Sequence, residues 1–305
     1  MDGIINVYKE KGFTSFDVVA KLRGICHQKK IGHTGTLDPD AEGVLPVCLG
    51  TATKVCGLLT DKDKEYEAVL LLGKETDTQD VGGKTLRECN VSCNEAQVRE
   101  AAAAFVGEYS QIPPMYSALK VNGQKLCDLA RAGVEIERKP RVVQIFDLSI
   151  GQIQLPRVEL KVHCSKGTYI RTLCYDIGRK LGCGGCMESL VRTRSGTLTV
   201  ADSIKLSAIQ ELAVQGQLQR KLISVDQLFL DVPSAKVFTN FQKMLVNGSR
   251  LPKRAFEIEP DVAGTYPAKL RVYYGEEFFG IYMLDDVHGD YKPQKIFWRE
   301  NRNRQ

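Results

Sequence analysis

Residues 32–54 hold four glycines and two prolines in twenty-three positions. Glycine visits left-handed backbone freely and loses the most entropy when ordered, while proline fixes φ and lacks an N–H. Neither a continuous helix nor a central strand is expected here, so the fold has to be built around an elaborate loop region. Loops of this length inside a compact domain usually carry function. A phosphate cradle is the first such function to test, but no Gly-x-x-x-x-Gly-Lys-Ser/Thr occurs, and Gly73-Lys74 is followed by Glu75. A nucleoside triphosphate loop is excluded.

The flanking pattern is regular. Thr14 or Ser15 can cap a helix with Asp17 in its first turn, and Val18, Leu22 and Ile25 recur on one face until the glycine-rich segment after Lys30. Residues 66–72 are apolar and β-prone, and Gly73 closes them like a buried strand. Asn94 caps a second helix carrying Val98, Ala101, Ala102 and Phe105, ended by Gly107. Residues 143–150 and 158–164 read as strands. A helix over 168–181 follows, with Ile170, Leu173, Cys174, Ile177 and Leu181 on its buried side and Gly182 as its stop, and another is expected over 206–214. Helices mixed with irregularly spaced strands argue α+β, not a regular βαβ repeat. Short strands then take over, punctuated by Asn247-Gly248, Pro252 and Gly275, with 271–274 and 277–284 flanking Gly275-Glu276 like a hairpin. At 305 residues, one large and one small domain are expected, over 1–225 and 226–305.

Composition narrows the function classes. Hydrophobic residues make up 43% and charged residues 26%, which suits a globular chain and excludes collagen-like or low-complexity structure. Apolar runs such as 68–72 fall far short of the ~20 residues of a membrane helix. The N-terminal residues from Met1 to Asn6 lack the basic and apolar blocks of a secretory signal, so a cytoplasmic protein with no membrane partner is expected. The ten cysteines are then expected as free thiols. Cys89 with Cys93, and Cys183 with Cys186, match zinc-ribbon spacing poorly, so no metal is expected. The net charge is only +5. Basic residues nevertheless cluster: Lys9, Lys11, Lys21, Arg23, Lys29 and Lys30 stand against Glu10 and Asp17, and Lys292, Lys295, Arg299, Arg302 and Arg304 stand against Glu300. Taken singly, each run reads as solvated surface.

Several blocks share a more specific pattern. Gly32-His33-Thr34-Gly35-Thr36-Leu37-Asp38-Pro39, Gly43-x-Leu45-Pro46 and Gly50-x-Ala52-Thr53-Lys54 resemble the catalytic segment of the TruB-type tRNA pseudouridine-55 synthases. Asn6-x-x-Lys9-x-x-Gly12-x-Thr14-Ser15 resembles the family's opening segment, and Lys64-Glu65-Tyr66 its pocket tyrosine. Gly73-x-x-Thr76-Asp77-Thr78-x-Asp80 is similar to the next segment. Gln111-Ile112-Pro113-Pro114-Met115-Tyr116-Ser117-Ala118-Leu119-Lys120 is similar to the loop before an RNA-clasping insertion. Cys164-Ser165-Lys166-Gly167-Thr168-Tyr169-Ile170-Arg171 resembles the segment that supplies an active-site arginine. These blocks run in family order from residue 6 to residue 171. The resemblance implies a mixed pseudouridine synthase sheet flanked by helices, with the insertion at about 116–142. More loosely, it implies a small C-terminal PUA-like β domain.

Isomerising uridine to its C-glycoside breaks N1–C1′, turns the uracil and joins C5 to C1′, without a redox step, an energy source or a cofactor. One ionised carboxylate beside the sugar suffices as nucleophile, base or stabiliser of a cation-like ribosyl centre. The resemblance gives that role to Asp38, which by itself would read as an Asp-Pro turn former. Arg171 is implied to pair with it, and an adjacent guanidinium typically lowers a carboxylate pKa by about 1–3 units. Tyr66 is implied to stack on the target base and to help remove the C5 proton, with Tyr169 as a second pocket aromatic. His33 is implied to fill the space left when the base is flipped out, which costs roughly a few kcal/mol. Lys9, Lys64 and Lys120 are implied at the substrate. The basic helix through Lys21 and the insertion's Lys120, Lys125, Arg131, Arg138, Lys139 and Arg141 are candidates for phosphates. The partner implied is the T-stem-loop of tRNA, bound by a monomer that needs no other protein.

Two departures from the family pattern stand out. Asp40 and Glu42 place extra acid near Asp38 and are expected to face away from it. Leu198 stands where an aromatic is common, just after the further block Arg192-Thr193-Arg194-Ser195-Gly196. Three other readings compete. An RNA-binding or RNA-folding module without turnover would need none of Asp38, Tyr66 and Arg171. A guide-RNA-dependent synthase would use the same pocket with protein partners, and a zinc or redox protein would rest on the cysteines.

Overall fold

The structure, a computed structural model, describes residues 1–258 and 264–299. Glu300, Arg302 and Arg304 of the basic C-terminal run lie outside the described residues. A ten-stranded mixed sheet forms the frame, in the order Ile204–Lys205, Gly3–Lys9, Glu42–Leu49, Gly185–Ser195, Lys64–Leu72, Arg157–Cys164, Arg141–Gln154, Gly107–Gln111. Two short strands, Ile31–His33 and Leu198–Thr199, pair off this path. Helices Glu95–Ala103 and Ile170–Lys180 contribute Val98, Ala102, Leu173 and Ile177 to a core with Leu70, Leu160 and Ile145 of the sheet. Helices Ser15–Ile25 and Leu206–Val214 contribute Val18, Leu22 and Ile209 to a second core with Val7, Leu45 and Val47. Each Val, Leu or Ile among them contributes about 1.5–3 kcal/mol through burial. The result is the α+β fold expected from the chain's pattern.

Local signals set the helix starts. The side chain of Thr14 accepts from the Asp17 amide while Asp17 accepts from the Thr14 amide, and Asn94 and Gln97 repeat the arrangement. The Ile170–Lys180 helix lacks a side-chain cap of its own. A remote residue supplies the bonds: Gln111 Oε1 accepts from the Tyr169 amide at 2.8 Å, and its Nε2 donates to the Tyr169 carbonyl at 2.9 Å.

The glycine- and proline-rich segment departs from expectation. Glu42–Leu49 is a buried strand in the middle of the sheet, not a loop. The Pro46 carbonyl accepts from the Thr34 amide at 3.0 Å, and proline is tolerated because no acceptor there needs its missing N–H. Its nitrogen faces that same edge, between the Ile31–His33 pairing and the short contact with Gly185–Ser195. Gly43 is required by close approach: its φ is +101°, and a Cβ there would run into the backbone of Arg192. Glu42–Leu49 and Gly185–Ser195 run parallel and pair only at Val191 with Glu42 and Arg192 with Gly43. The two parts of the sheet, antiparallel except where Gly3–Lys9 pairs Ile204–Lys205, are therefore joined only at this point, and the loop 34–41 sits at the split.

A second sheet of five strands, Ser234–Lys236, Lys269–Tyr274, Glu277–Asp285, Asp290–Ile296 and Leu251–Pro252, makes up the C-terminal module. The hairpin expected around Gly275-Glu276 is present. An apolar cluster joins this module to the large sheet: Ile4, Val44, Cys48 and Val55 meet Val225, Ile281 and Phe297, flanked by Phe229 and Phe278. Phe278 and Phe297 stack at 5.4 Å, and Lys54 Nζ donates to the Ile296 carbonyl at 2.6 Å. The insertion expected at 116–142 is a short hairpin, Lys120–Val121 with Gln124–Lys125, followed by helix Leu126–Arg131 and an irregular return.

Candidate active site

Asp38 stands in the loop at the split of the sheet, and its backbone is fixed on both sides. Ser15 Oγ accepts from the Leu37 amide at 2.9 Å, Gly12 N donates to the Pro39 carbonyl at 2.9 Å, and Ala41 N donates back to the Asp38 carbonyl at 3.1 Å. Leu37 and Ala41 are buried in the main core and anchor the loop. Lys9, expected at the substrate, is fully buried, and its ammonium donates to the carbonyls of Pro39 at 3.0 Å, Ala41 at 2.5 Å and Glu10 at 3.1 Å. Burial pushes its pKa down to about 8 against the pull of Asp38 and Glu42. Lys9 thus holds the loop that carries Asp38.

Arg171 reaches Asp38 from the first turn of its helix. Its Nε lies 2.9 Å from Asp38 Oδ2 and its Nη2 donates to Oδ1 at 3.2 Å, a two-point grip on one carboxylate. The remaining donors go to the Tyr116 carbonyl at 2.8 Å and the Thr78 carbonyl at 3.0 Å. The guanidinium is 5% exposed, whereas the Asp38 side chain is 37% exposed, so the carboxylate has an open side that the arginine lacks.

A second carboxylate shares the arginine: Asp80 Oδ2 lies 3.6 Å from Arg171 Nη1. Asp80 is fixed by the Thr78 hydroxyl at 2.7 Å and the Gly82 amide at 3.0 Å. Its turn is tied to the sheet through bonds with Met187 and to the helix through Gln79 and Thr172. Asp40 and Glu42, the extra acids nearby in sequence, face away from Asp38 as expected. Asp40 is exposed and Glu42 accepts from the Tyr8 hydroxyl at 3.4 Å, while Asp80 is the acid that bears on Asp38. The expected direction for Asp38 changes. Burial pushes its pKa above the usual carboxylate range, opposed by Arg171 and reinforced by Asp80.

Tyr66, on Lys64–Leu72, pairs with Val162 on one side and Arg192 on the other. Burial raises its phenol, with Arg192 pulling down and Asp38 pushing up, so it stays neutral near pH 7. Arg192 is the residue that sequence reasoning left without a role. It is 1% exposed inside a strand, and its guanidinium donates to the Val44 carbonyl at 2.7 Å and the Gly35 carbonyl at 3.0 Å. It thereby ties the Asp38 loop and the strand after it to the strand that pairs with the one carrying Tyr66. The signal available in the sequence was its place in the family block already noted, Arg192-Thr193-Arg194-Ser195-Gly196.

His33 ends the Ile31–His33 strand, half-buried, with Nδ1 buried and unpartnered. Burial, then Arg192, holds it below its ordinary pKa, so the ring is neutral. Tyr169 is half-buried at the helix start, its phenol raised by burial against the pull of Arg171. Lys64, expected at the substrate, turns inward: its ammonium donates to the Thr60 carbonyl at 2.6 Å and also to the Lys62 carbonyl, and burial lowers its pKa to about 8. Lys120 and Lys125 are exposed on the insertion hairpin, and Arg131 at the end of its helix, Lys139 on the return and Arg141 at the start of the next strand are exposed as well. Arg138 is not free, because its Nη1 donates to the Pro113 carbonyl at 3.1 Å.

Among the described residues no three His, Cys, Asp or Glu converge on a metal position, so Cys89, Cys93, Cys183 and Cys186 form no ligand set. All ten cysteines are free thiols. Among the described residues no helix is long and apolar enough to cross a membrane.

Comparison with known proteins matches this arrangement. Residues 23–170 match the N-terminal domain of TruB family pseudouridylate synthases, and residues 171–232 match the tRNA pseudouridylate synthase B C-terminal domain. A tRNA pseudouridine synthase B of Lachnoclostridium phytofermentans is 53% identical over 97% of this chain and 100% of its own length. A protein of the same name from Clostridium acetobutylicum is 47% identical over 86% of this chain and 89% of its own. Among solved structures, a Cbf5-Nop10-Gar1 complex aligns with TM-score 0.70 and 25% identity over 97% of this chain and 85% of that one. An H/ACA RNP bound to a substrate RNA containing 2′-deoxyuridine shares the fold, with TM-score 0.70 and 23% identity over 98% of this chain and 86% of that one. With a full-length relative at that identity and an aspartate gripped by a buried arginine at the split of its sheet, the chain belongs to the TruB family of pseudouridylate synthases.

Proposed function

We propose that this chain isomerises uridine 55 in the T-loop of tRNA to pseudouridine, without a cofactor, through Asp38. The observation that carries the reading is the two-point grip of Arg171 on a carboxylate that keeps an open side. Curated relatives named tRNA pseudouridine synthase B support tRNA as the substrate. Their identities, 53% and 47%, exceed the 25% shared with the Cbf5-Nop10-Gar1 complex and the 23% shared with the H/ACA RNP, which favours a stand-alone synthase over a guide-dependent one.

The chemistry follows from the groups present. The loop must release its base, at a cost of roughly a few kcal/mol that stacking and backbone contacts offset. The neutral ring of His33, at the rim, suits the vacated space, and the Tyr66 and Tyr169 rings offer faces to the extruded uracil. Asp38 then meets the ribose side as an anion held in place before the reaction, so little reorganisation is needed as positive character develops at C1′. The N1–C1′ bond breaks with its electron pair left on N1, the uracil turns within the pocket, C5 joins C1′, the C5 proton leaves to solvent and N1 takes up a proton. Atoms and electrons balance without a co-reactant. Tyr66, as a neutral phenol, serves first as a surface and hydrogen-bonding group. Lys9, Lys64 and Arg192 act by positioning the Asp38 loop and the Tyr66 strand, and Lys120 remains available to a phosphate.

The test is tritium release from tRNA labelled at C5 of uridine, followed by mapping of the product. The parent chain is expected to release tritium on a bare T-stem-loop transcript, without guide RNA or added protein. A transcript with cytidine at position 55 is expected to release none. Asp38→Asn should abolish turnover and keep RNA affinity within about tenfold, since affinity rests on phosphate and stacking contacts. Tight binding without release by the parent would move the chain to the non-catalytic RNA-binding reading, and activity in Asp38→Asn beyond a trace would remove Asp38 from its role.

A further inference from the structure

The Ser15–Ile25 helix buries Val18, Val19 and Leu22 and turns a different face outward. On that face Phe16 is 62% exposed, the most exposed phenylalanine among the described residues. Neither the cap nor the core explains it: Thr14 and Asp17 make the capping box, and the apolar positions of the helix lie on the opposite side. The Arg23 guanidinium lies over the Phe16 ring at 5.7 Å, and Lys21 Nζ lies over Phe13 at 5.0 Å. The one acid among these residues, Asp17, is occupied by both the amide and the hydroxyl of Thr14, at 2.8 and 2.6 Å. The outward side of the helix therefore presents an exposed aromatic ring with the Arg23 cation over one of its faces, and a second cation, Lys21, farther round on the flank beside Phe13.

Its position relative to the active site is fixed. Ser15, next to Phe16, is bonded to Leu37, next to Asp38. Peptide steps of 3.8 Å and one side-chain hydrogen bond place the α-carbons of Phe16 and Asp38 within about 15 Å of each other. Even a single DNA-binding module buries on the order of 600–1,000 Å². An RNA loop held for base extrusion needs a comparable footprint, more than one nucleotide supplies, and this helix start borders the loop that would hold that nucleotide.

We infer that this helix face is a second RNA contact, in which Phe16 stacks on an unpaired base near the extruded nucleotide while Lys21 and Arg23 hold the neighbouring phosphates. The inference rests on the RNA-modifying role proposed above. Looped RNA is the occupant that the surface chemistry selects: a π-face accepts any base, and the cations match the backbone between bases.

The experiment measures the affinity of a T-stem-loop transcript for the full chain with Phe16→Ala, Phe16→Leu or Phe16→Tyr, in an Asp38→Asn background. Phe16→Ala and Phe16→Leu should each weaken binding about tenfold, and Phe16→Tyr should bind like the parent. Lys21→Ala with Arg23→Ala should make the slope of log affinity against log salt shallower by about 1.4, for two phosphate contacts on single-stranded RNA. In the Asp38 enzyme, Phe16→Ala should raise KM and leave kcat near the parent. These surface changes should leave Tm within about 2 °C, so that weakened binding reports contact and not unfolding. Binding by Phe16→Ala within twofold of the parent overturns the inference, as does full affinity in Phe16→Leu, which would mean an apolar contact in place of base stacking. A parent chain that releases no tritium, but whose RNA affinity falls in Phe16→Ala and Phe16→Leu, would overturn the proposed turnover and uphold this surface.

Discussion

Replacing Arg171 with alanine removes the cation that pairs with both Asp38 and Asp80. Breaking a buried pair from one side costs about 3–5 kcal/mol, because the abandoned charge stays behind. Here the lower end applies, since the Asp38 side chain is 37% exposed and water can reach it. The Thr78 and Tyr116 carbonyls lose their donor as well, which prevents the cost from vanishing. A loss of about 3 kcal/mol corresponds to a fall in Tm of roughly 6–12 °C at 2–4 °C per kcal/mol. Two carboxylates without their cation then disfavour each other's ionisation, so the pKa of Asp38 rises further and the acid limb of kcat/KM moves to higher pH. Turnover at pH 7 should fall at least ~100-fold, the scale of losing one preorganised electrostatic contact, with partial recovery as pH is raised. Thermal melts and tritium release across pH measure both parts. Arg171→Ala with a Tm within about 2 °C of the parent and unchanged turnover at pH 7 would refute the account of the pair.

Asp80→Asn should act in the opposite direction on the pH profile. Asp80 raises the Asp38 pKa, so its neutral replacement should shift the acid limb of kcat/KM to lower pH. Gly43→Ala should lower Tm more than Gly12→Ala: both glycines have positive φ, +101° and +88°, but only the new Cβ at 43 meets backbone, that of Arg192. Equal melts would contradict that close approach. Asp63 bonds to His163 at 2.6 Å and to Arg194 at 2.9 Å, and its pKa is lowered to about 2, burial being outweighed by these two bonds. Its contribution is complete above the ordinary carboxylate pKa and disappears as pH falls through about 2. Asp63→Asn should therefore flatten the fall of Tm between about pH 4 and pH 2, as read by thermal melts in that range.

The helix starts were legible because Thr14 with Asp17, and Asn94 with Gln97, close their caps within four residues. The pairing of Asp38 with Arg171 was legible only through family resemblance, since 133 positions separate them. What the sequence hid depended on tertiary partners. Glu42–Leu49 reads as a loop because Gly43 and Pro46 are poor strand residues, yet one fits against Arg192 and the other turns its nitrogen where no donor is needed. Lys9 and Lys64, implied at the substrate by the resemblance, instead have their ammonium groups surrounded by carbonyls of the fold. Asp80 is closer to the chemistry than Asp40 because a turn tied to Met187 and Thr172 carries it there, whereas adjacency in sequence sends Asp40 to solvent.

The apolar seam between the two sheets governs how this protein can be dissected. A chain cut ahead of Phe229 would leave Ile4, Val44 and Val55 facing water where Ile281 and Phe297 had covered them, and a newly bared greasy flank of that kind invites clumping. Shortened versions would then lose activity through insolubility, whatever the missing strands do for RNA. To ask whether the small sheet touches nucleic acid, an investigator should leave the seam whole and neutralise lysines on its outer rim instead.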